Sequence, residues 1–409
     1  MKRHLISQMC NEWRGNLWMI VELVIVSCVL WALFSFLCGL LHVRLRHSGY
    51  DMTGIYVADI RAVGKDSPLY QPYDSVHSYR TDRDMLLSGL RGNPYVEEAG
   101  MGFNAMPYNY NYMGNFLCEN DSVYYYGNLR MVTPEIIRMI RLEGLGGETT
   151  EQLAGMIERG DVIISGLDEQ TSSVVYTPEY FVGKDLRFSN DSSRVVHVGA
   201  VAYGMRRTDY EALTSGVIYM PLSDSNWPDQ IIIRVKPGME REFAESLTAA
   251  DKQHGNVYLS GMTHIDRMRD VAHIDINVTI RNFVICAVFL LLVIFLGFLG
   301  SFWFRTQQRV VEIAIRKVNG ATRRDILRRF LGEGMLLLVV ATVPAVMIDY
   351  AVMHYNLFTF IEDLGNSGTV VYESMAVTFV MLAILIVAGI WFPACKAMNV
   401  DPVYALKDQ

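Results

Sequence analysis

Hydrophobic positions gather in four long runs, while elsewhere apolar and polar residues alternate at short periods. A membrane-crossing helix needs about 20 predominantly apolar residues. The runs at 17–41, 283–304, 331–354 and 375–392 are of that order. The second and fourth hold no charge, the first is interrupted by Glu22, and the third carries Glu333 near one end and Asp349 near the other. The first run exceeds the roughly 7–15-residue apolar core of a signal peptide and has no small-x-small cleavage site behind it. It predicts an uncleaved anchor helix.

The segment 42–281 between the first two runs reads as an α+β domain. A helical pattern over Arg83–Leu90 ends at Arg91-Gly92-Asn93-Pro94. Thr133-Pro134 before a periodic apolar run marks a helix start, with Pro in the first turn. A second short helix follows, then a strand at 161–165. Further strand-like runs lie at 186–188, 195–202, 216–220 and 230–235. Lys236-Pro237-Gly238 is a turn, and 238–255 has the polar, amphipathic pattern of a helix. Tyr108, Tyr110 and Tyr112 alternate, and Tyr124–Tyr126 form a run. They read as strand faces packed on a core or a neighbouring subunit, or as an exposed patch that meets substrate or a partner, since Tyr is enriched at interfaces.

Composition sharpens the picture. Apolar residues make up 51% of the 409 residues and charged residues 19%, against about 25% charged in soluble domains. The net charge of −7 excludes a general nucleic-acid footprint. Basic residues are nonetheless concentrated between the second and third runs: Arg305, Arg309, Arg316, Lys317, Arg323, Arg324, Arg328 and Arg329, against Glu312 and Asp325. The tail before the first run adds Lys2, Arg3 and Arg14, whereas the connection between the third and fourth runs has Glu362, Asp363 and Glu373 and no Lys or Arg. Short loops rich in Lys and Arg stay in the cytoplasm. The chain therefore predicts a multi-pass protein of the plasma (inner) membrane with both termini cytoplasmic and 42–281 outside. Leu5, Ile6, Met9 and Trp13 share one face of the 1–16 tail, as in a short helix lying on membrane lipid. Of six Cys, only Cys118 lies in the outer segment, so no disulfide forms within it. A segment of about 240 residues can hold its core without one.

Signatures of catalysis are missing. No G-x-x-x-x-G-K-[ST] cradle for a nucleotide phosphate occurs, nor H-E-x-x-H, C-x-x-C or G-x-S-x-G. His264 and His273 are too far apart to form a metal pair on one helix face. No catalytic residue, metal site or cofactor is assigned.

The connection 305–330 is the most informative segment. Val311, Ile315 and Val318 recur at helical spacing, with Val310, Ile313 and Ala314 widening the apolar face. Glu312 precedes Arg316 by four, the favoured order for a helical ion pair. Asn319-Gly320 supplies a left-handed stop, and Thr322-x-x-Asp325 a capping box for the next helix. A loop that serves topology alone needs the charges but not a capped helix–turn–helix. The second reading is a lever that docks on a soluble cytoplasmic partner.

The segment Glu312-Ile-Ala-Ile-Arg-Lys-Val-Asn-Gly-Ala321, with Ile326, resembles the signature that follows the second span in MacB/FtsX-type permeases of ABC transporters. Glu312, Ile313, Ile315, Arg316, Lys317, Gly320, Ala321 and Ile326 carry the match; Ala314 stands in place of the usual Gly. Pro393, Ala394, Ala397, Pro402, Ala405 and Leu406 are similar to the family's C-terminal motif, and the outer segment resembles a MacB-like periplasmic core.

The resemblance implies a membrane protein with an all-α four-helix transmembrane domain and a large α+β extracytoplasmic domain. The MacB-like core would occupy 42–281 and the FtsX-like domain 283–409, with 305–330 as its coupling loop. It implies a non-catalytic permease subunit that transmits ATP hydrolysis by a separate ABC ATPase subunit to the outer domain, for export or extraction of an amphiphilic antibiotic, peptide or lipoprotein. The alternative is an ATPase-driven regulator of a cell-envelope hydrolase or a peptide sensor without transport. Partners would be the ATPase, a second protomer as homodimer or as heterodimer with a sister permease, and a periplasmic adaptor or outer-membrane channel. Glu312, Ile313, Ile315, Arg316, Lys317, Gly320, Ala321, Arg323 and Arg324 would form the ATPase-coupling segment. Within the membrane, Glu22 and Asp349 either reach the interface by snorkelling or make a dimer or gating contact.

Overall fold

The computed structural model describes residues 13–74, 78–109, 111–120, 123–167, 176–223, 228, 230–248, 250–355 and 368–398. Tail residues 1–12, Tyr110, Glu362, Asp363 and the C-terminal motif beyond 398 lie outside the described residues. The chain divides into two compact units, 45–275 and a membrane unit of 1–44 with 276–409. Helix α1 (Trp13–Leu45) opens the membrane unit.

The outer unit follows in chain order as β1 (Ile55–Ala62), α2 (Tyr79–Arg91), β2 (Val96–Phe103), β3 (Gly114–Asn120), β4 (Val123–Val132), α3 (Pro134–Met139), α4 (Thr150–Arg159), β5 (Val162–Ser165), β6 (Asp185–Phe188), β7 (Asp191–Ala202), β8 (Gly216–Pro221), β9 (Gln230–Val235), α5 (Glu240–Ser246), β10 (Gln253–His254), β11 (Val257–His264) and α6 (Ile265–Ala272). Its strands form one sheet in the order β10-β11-β1-β9-β2-β4-β3-β6-β7-β5-β8. A further parallel pairing of β4 with β8 closes β4-β3-β6-β7-β5-β8 into a ring. Closure removes the exposed edges that an open sheet offers for aggregation. Leu117, Leu129, Met131, Ile164, Leu186, Val198 and Ile218 fill one core of this unit.

Strand β9 is buried along its whole length. Ile232 packs into a core with Ile136, Ile140 and Leu153, while Ile231, Ile233 and Val235 join Leu86, Leu87 and Leu90 in another. With both faces covered, the strand reads as a continuous apolar run rather than an alternation. The polar pattern at 238–255 gives a helix only over Glu240–Ser246 and then turns into the β10–β11 hairpin. The Tyr108–Tyr112 alternation is not a strand. Tyr108 takes a left-handed φ of 62° in the β2–β3 connection, where it is buried and donates its hydroxyl proton to Asp209 at 2.5 Å. Within β4, Tyr124 is exposed and Tyr125 is buried.

Four further helices complete the membrane unit: α7 (Ile274–Gln308), α8 (Val310–Val318), α9 (Arg323–His354) and α10 (Gly368–Met398). Among the described residues, α1, α7, α9 and α10 are long and apolar enough to cross a membrane. Only a helix satisfies its own backbone polar groups in lipid; α1, α7 and α10 extend beyond their apolar runs at both ends, and α9 at its N-terminal end. Glu373 lies inside α10 rather than in a loop. Leu23, Leu30, Phe298, Phe302, Leu337, Leu382 and Ile386 form the common core. Backbones approach closely at Gly334, where a Cβ would stand 2.4 Å from Ile390 Cδ1 and 2.8 Å from Ile386 Cγ2. Small residues of this kind let membrane helices pack by van der Waals contact.

Two polar clusters hold the outer unit and can be tested. The buried Tyr125 hydroxyl donates to Ser165 O at 2.8 Å and accepts from Ser165 N–H at 3.1 Å, while Ser165 Oγ accepts from Val217 N–H at 2.8 Å. Tyr125→Phe strips the partners from a buried peptide group, which costs about 1–3 kcal/mol. The expected result is faster amide exchange over 162–165 and 216–221 in the detergent-solubilised chain. Asp51 accepts from Thr53 N–H at 2.9 Å, from the buried Arg234 and from Arg141 Nη1 at 3.1 Å. Burial alone would raise this carboxyl, but the hydrogen bonds from Thr53 and Arg234 outweigh it and hold it at about 2. A depressed carboxylate stabilises the fold fully above its unfolded pKa and ceases to do so as pH falls through the folded value. The outer unit should therefore lose up to about 2 kcal/mol between roughly pH 4 and pH 2. Asp51→Asn should flatten that part of the acid-unfolding curve.

Candidate functional site

The segment joining the second and third spans is built as a rigid bracket. Helix α8 begins directly after α7, with Arg309 at the junction. Its end is closed by a reversed turn: Gly320 has φ of 89°, Gly320 N–H donates to Lys317 O at 3.0 Å, and Ala321 N–H donates to Arg316 O at 3.0 Å. A residue with a Cβ is strained at that angle, so the glycine fixes where the chain turns back. Thr322 then caps α9. Its hydroxyl accepts from Asp325 N–H at 3.3 Å, and the Asp325 carboxylate accepts from Thr322 N–H at 3.1 Å, a reciprocal capping box.

Ion pairs tie the bracket to the third span. Glu312 receives Arg316 at 2.8 Å and Arg329 at 3.4 Å. Arg329 also reaches Glu333 at 3.5 Å, and Glu333 accepts both oxygens' worth of contact from Arg309 Nη1, at 2.9 and 3.1 Å. The chain Arg316–Glu312–Arg329–Glu333–Arg309 thus links α8, α9 and the α7–α8 junction. Glu333 is only 9% exposed, and a carboxylate so buried requires paired charge around it.

The apolar face of α8 divides in two. Ile313 and Ala314 are buried, and Ile313 packs with Ile326, Phe330 and Ala394. Ile315 and Val318 are 48% and 67% exposed, so the single broad face read from the spacing is corrected: the two sets point to different surroundings. In the same segment Arg316, Arg323 and Arg324 are also exposed, while Lys317 and Ala321 are half-buried. The segment thus presents both apolar and guanidinium groups to its surroundings.

The two intramembrane acids face protein. Asp349 is 3% exposed and accepts a hydrogen bond from the Cys28 thiol of α1, which excludes snorkelling for this side chain. Glu22 is half-buried, and its Oε1 would lie 3.2 Å from a Cβ at Gly297 of α7. The residues expected to couple to an ATPase therefore share one segment, and these two acids lie apart from it. Sequence reasoning missed Arg309, Arg329 and Glu333 as a set. The local signal was Arg329-x-x-x-Glu333, a helical pair at four-residue spacing; the contact to Arg309 is tertiary and left no trace in the spacing.

Residues 284–402 match the family model for the FtsX-like permease C-terminal domain. Over 123 residues the chain is 32% identical to the pyoverdine export ATP-binding/permease protein PvdT of Pseudomonas entomophila (strain L48), a match covering 28% of this chain and 17% of that protein. The PvdT proteins of Pseudomonas fluorescens (strain Pf0-1) match over the same length at 31% identity. The chain thus spans 17% of the length of these curated relatives. Solved structures similar to the chain include the periplasmic region of MacB from Actinobacillus actinomycetemcomitans, at 11% identity and a TM-score of 0.32, covering 55% of this chain and 94% of that one. The extracellular domain of the ABC-type transporter YknZ from Gram-positive bacteria is similar at 11% identity and a TM-score of 0.31, covering 50% of this chain and 100% of that one. With four helices long and apolar enough to cross a membrane among the described residues, and a match to the FtsX-like permease C-terminal domain at 284–402, the chain is a multi-pass membrane protein whose C-terminal part is similar to FtsX-like permeases.

Proposed function

We propose that the chain is the permease subunit of an ABC transporter, that a separate ATPase subunit grips α8 and the first turn of α9, and that the motion passes through α7 and α9 to the extracytoplasmic domain. The observation that carries this reading is the exposure of Ile315 and Val318 on a helix ion-paired to the third span, in a segment where Arg316, Arg323 and Arg324 are exposed as well. A lever must be stiff between its grip and its load, and Glu312 and Glu333 supply that stiffness through Arg329. The basic residues of 305–330 support a cytoplasmic position for the grip, with the inner membrane as location and both termini on the same side. Two protomers, identical or sister permeases, would engage two ATPases. The word export in the names of the PvdT relatives supports outward movement or extraction of an amphiphilic substrate.

Docking is tested at the exposed pair. Ile315→Asp with Val318→Asp leaves the buried Ile313 and Ala314 untouched, so membrane insertion should persist while co-purification of the ATPase in mild detergent falls at least about tenfold, the equivalent of about 1.4 kcal/mol. ATPase recovery equal to that of the parent chain would sink the docking reading. Stiffness is tested at the pivot. Glu333→Gln removes the charge shared by Arg309 and Arg329, so the ATPase should still co-purify at near parental yield while ATP-driven substrate movement is lost. Unchanged movement per ATP hydrolysed would assign Glu333 to folding alone.

A further inference from the structure

Strand β4 carries a charge where its pattern calls for an apolar side chain. Leu129 and Met131 point into one core. The opposite face belongs to the core that holds Val132, Met205, Val217 and Tyr219, and Arg130 lies between Leu129 and Met131 on that face, paired in register with Tyr219 of β8. Arg130 is 1% exposed. Its guanidinium donates to Asn104 O at 3.1 Å and to Met205 O at 3.4 Å, and its Nε has no partner. Among the described residues no carboxylate forms an ion pair with it. The groups that face it electrostatically are the hydroxyls of Tyr219 and Tyr50. Burial pushes both tyrosines up, so they stay neutral and supply no counter-charge.

An arginine cannot shed its proton to escape such a site, and a buried charge without a counter-charge is strongly unfavourable. Burial draws the Arg130 guanidinium down from its ordinary value. The compensation has to come from outside the strand. Arg130 lines a cleft of about 30 Å³ together with Arg206, Arg207, Glu211, Tyr112 and Ser215. The carboxylate that lines the cleft, Glu211, is held by Arg207 at 2.9 Å on the exposed rim rather than by Arg130. Tyr112 stands at the mouth, its hydroxyl donating to Ser215 Oγ at 3.3 Å.

We propose that this cleft is a binding site for a carboxylate group, with Arg130 as its buried cationic floor and Arg207 on its rim. A planar two-oxygen anion matches a guanidinium fork and supplies the charge that Arg130 lacks. The site concerns the outer unit alone. A chain that binds a carboxylate here but recruits no ATPase would keep this inference and lose the reading of the α8 bracket.

The test uses the full-length chain in detergent micelles, with sodium acetate as probe and sodium chloride at equal ionic strength as reference. Amide exchange over 205–217 should slow at least twofold in acetate relative to chloride, and saturably. Arg130→Met, a neutral side chain of similar length, should abolish that slowing. Arg207→Gln, at an exposed position, should weaken it at least threefold, and it decides the question should Arg130→Met fail to fold. Equal exchange in the two salts overturns the proposal, as does slowing that survives in Arg207→Gln. A larger effect from sodium phosphate than from acetate overturns the assignment of ligand class.

Discussion

The membrane unit turns on one buried carboxylate. Glu333 sits near the start of the third span, 9% exposed, with Arg309 on one side and Arg329 on the other. Without those partners it would be an isolated charge in a poorly hydrated place. With them, it fixes the junction of α7 and α8 against α9, and Arg329 passes the constraint on to Glu312 and Arg316. The arrangement does not owe its value to net stabilisation, since buried pairs often gain little over apolar packing. What it supplies is position. Three elements that meet at a tight turn are held by charges that tolerate only one geometry.

Legibility in the sequence follows the range of the forces. The four spans were readable because lipid imposes its requirement on composition over about 20 residues. The capping box of Thr322 and Asp325, the Glu312–Arg316 pair and the left-handed Gly320 were readable because each is settled within four residues. The Arg309–Glu333 contact spans 24 positions and could not be read. Nor could the division of α8 into a buried and an exposed apolar face, because periodicity reports that residues share a helix side but not what lies against them. Asp349 shows the same limit: its place near the end of a span suggested escape to the interface, while the fold turns it onto Cys28.

In the outer unit the strands missed are those with no period. Strand β2 begins Val96-Glu97-Glu98 and continues through Gly100 and Gly102, so neither alternation nor an apolar run appears. Its acids are satisfied by Arg138, Arg141 and Arg234, which come from other elements. Ring closure by β4 and β8 joins residues about 90 apart, from Gly127 with Gly216 to Val132 with Pro221. Such a contact is decided by topology rather than by local sequence. The Tyr108–Tyr112 alternation misled for the opposite reason. It has the strand period, but left-handed backbone at Asn104 and Tyr108 makes it a loop, and Tyr108 is held there by Asp209 and Arg269.

The first turn of α9 bears on what the bracket is for. Arg323 and Arg324 occupy the positive end of the helix dipole, where a basic residue is unfavourable by about 0.3–1 kcal/mol at an exposed site. Asp325 and the cap offset that locally. Membrane topology does not require the arginines there, because charges act on orientation from anywhere within about 15–20 residues of a span end. Arg305, Arg309, Arg328 and Arg329 already lie in that window. The exposed Ile315 and Val318 of the same segment are a second local cost, since both leave apolar surface in water. Two departures from the best free-chain sequence occur in one segment, and a partner with acidic and apolar groups would offset both. That coincidence, rather than the basic charge of the loop, is what favours the proposed grip over a topological signal.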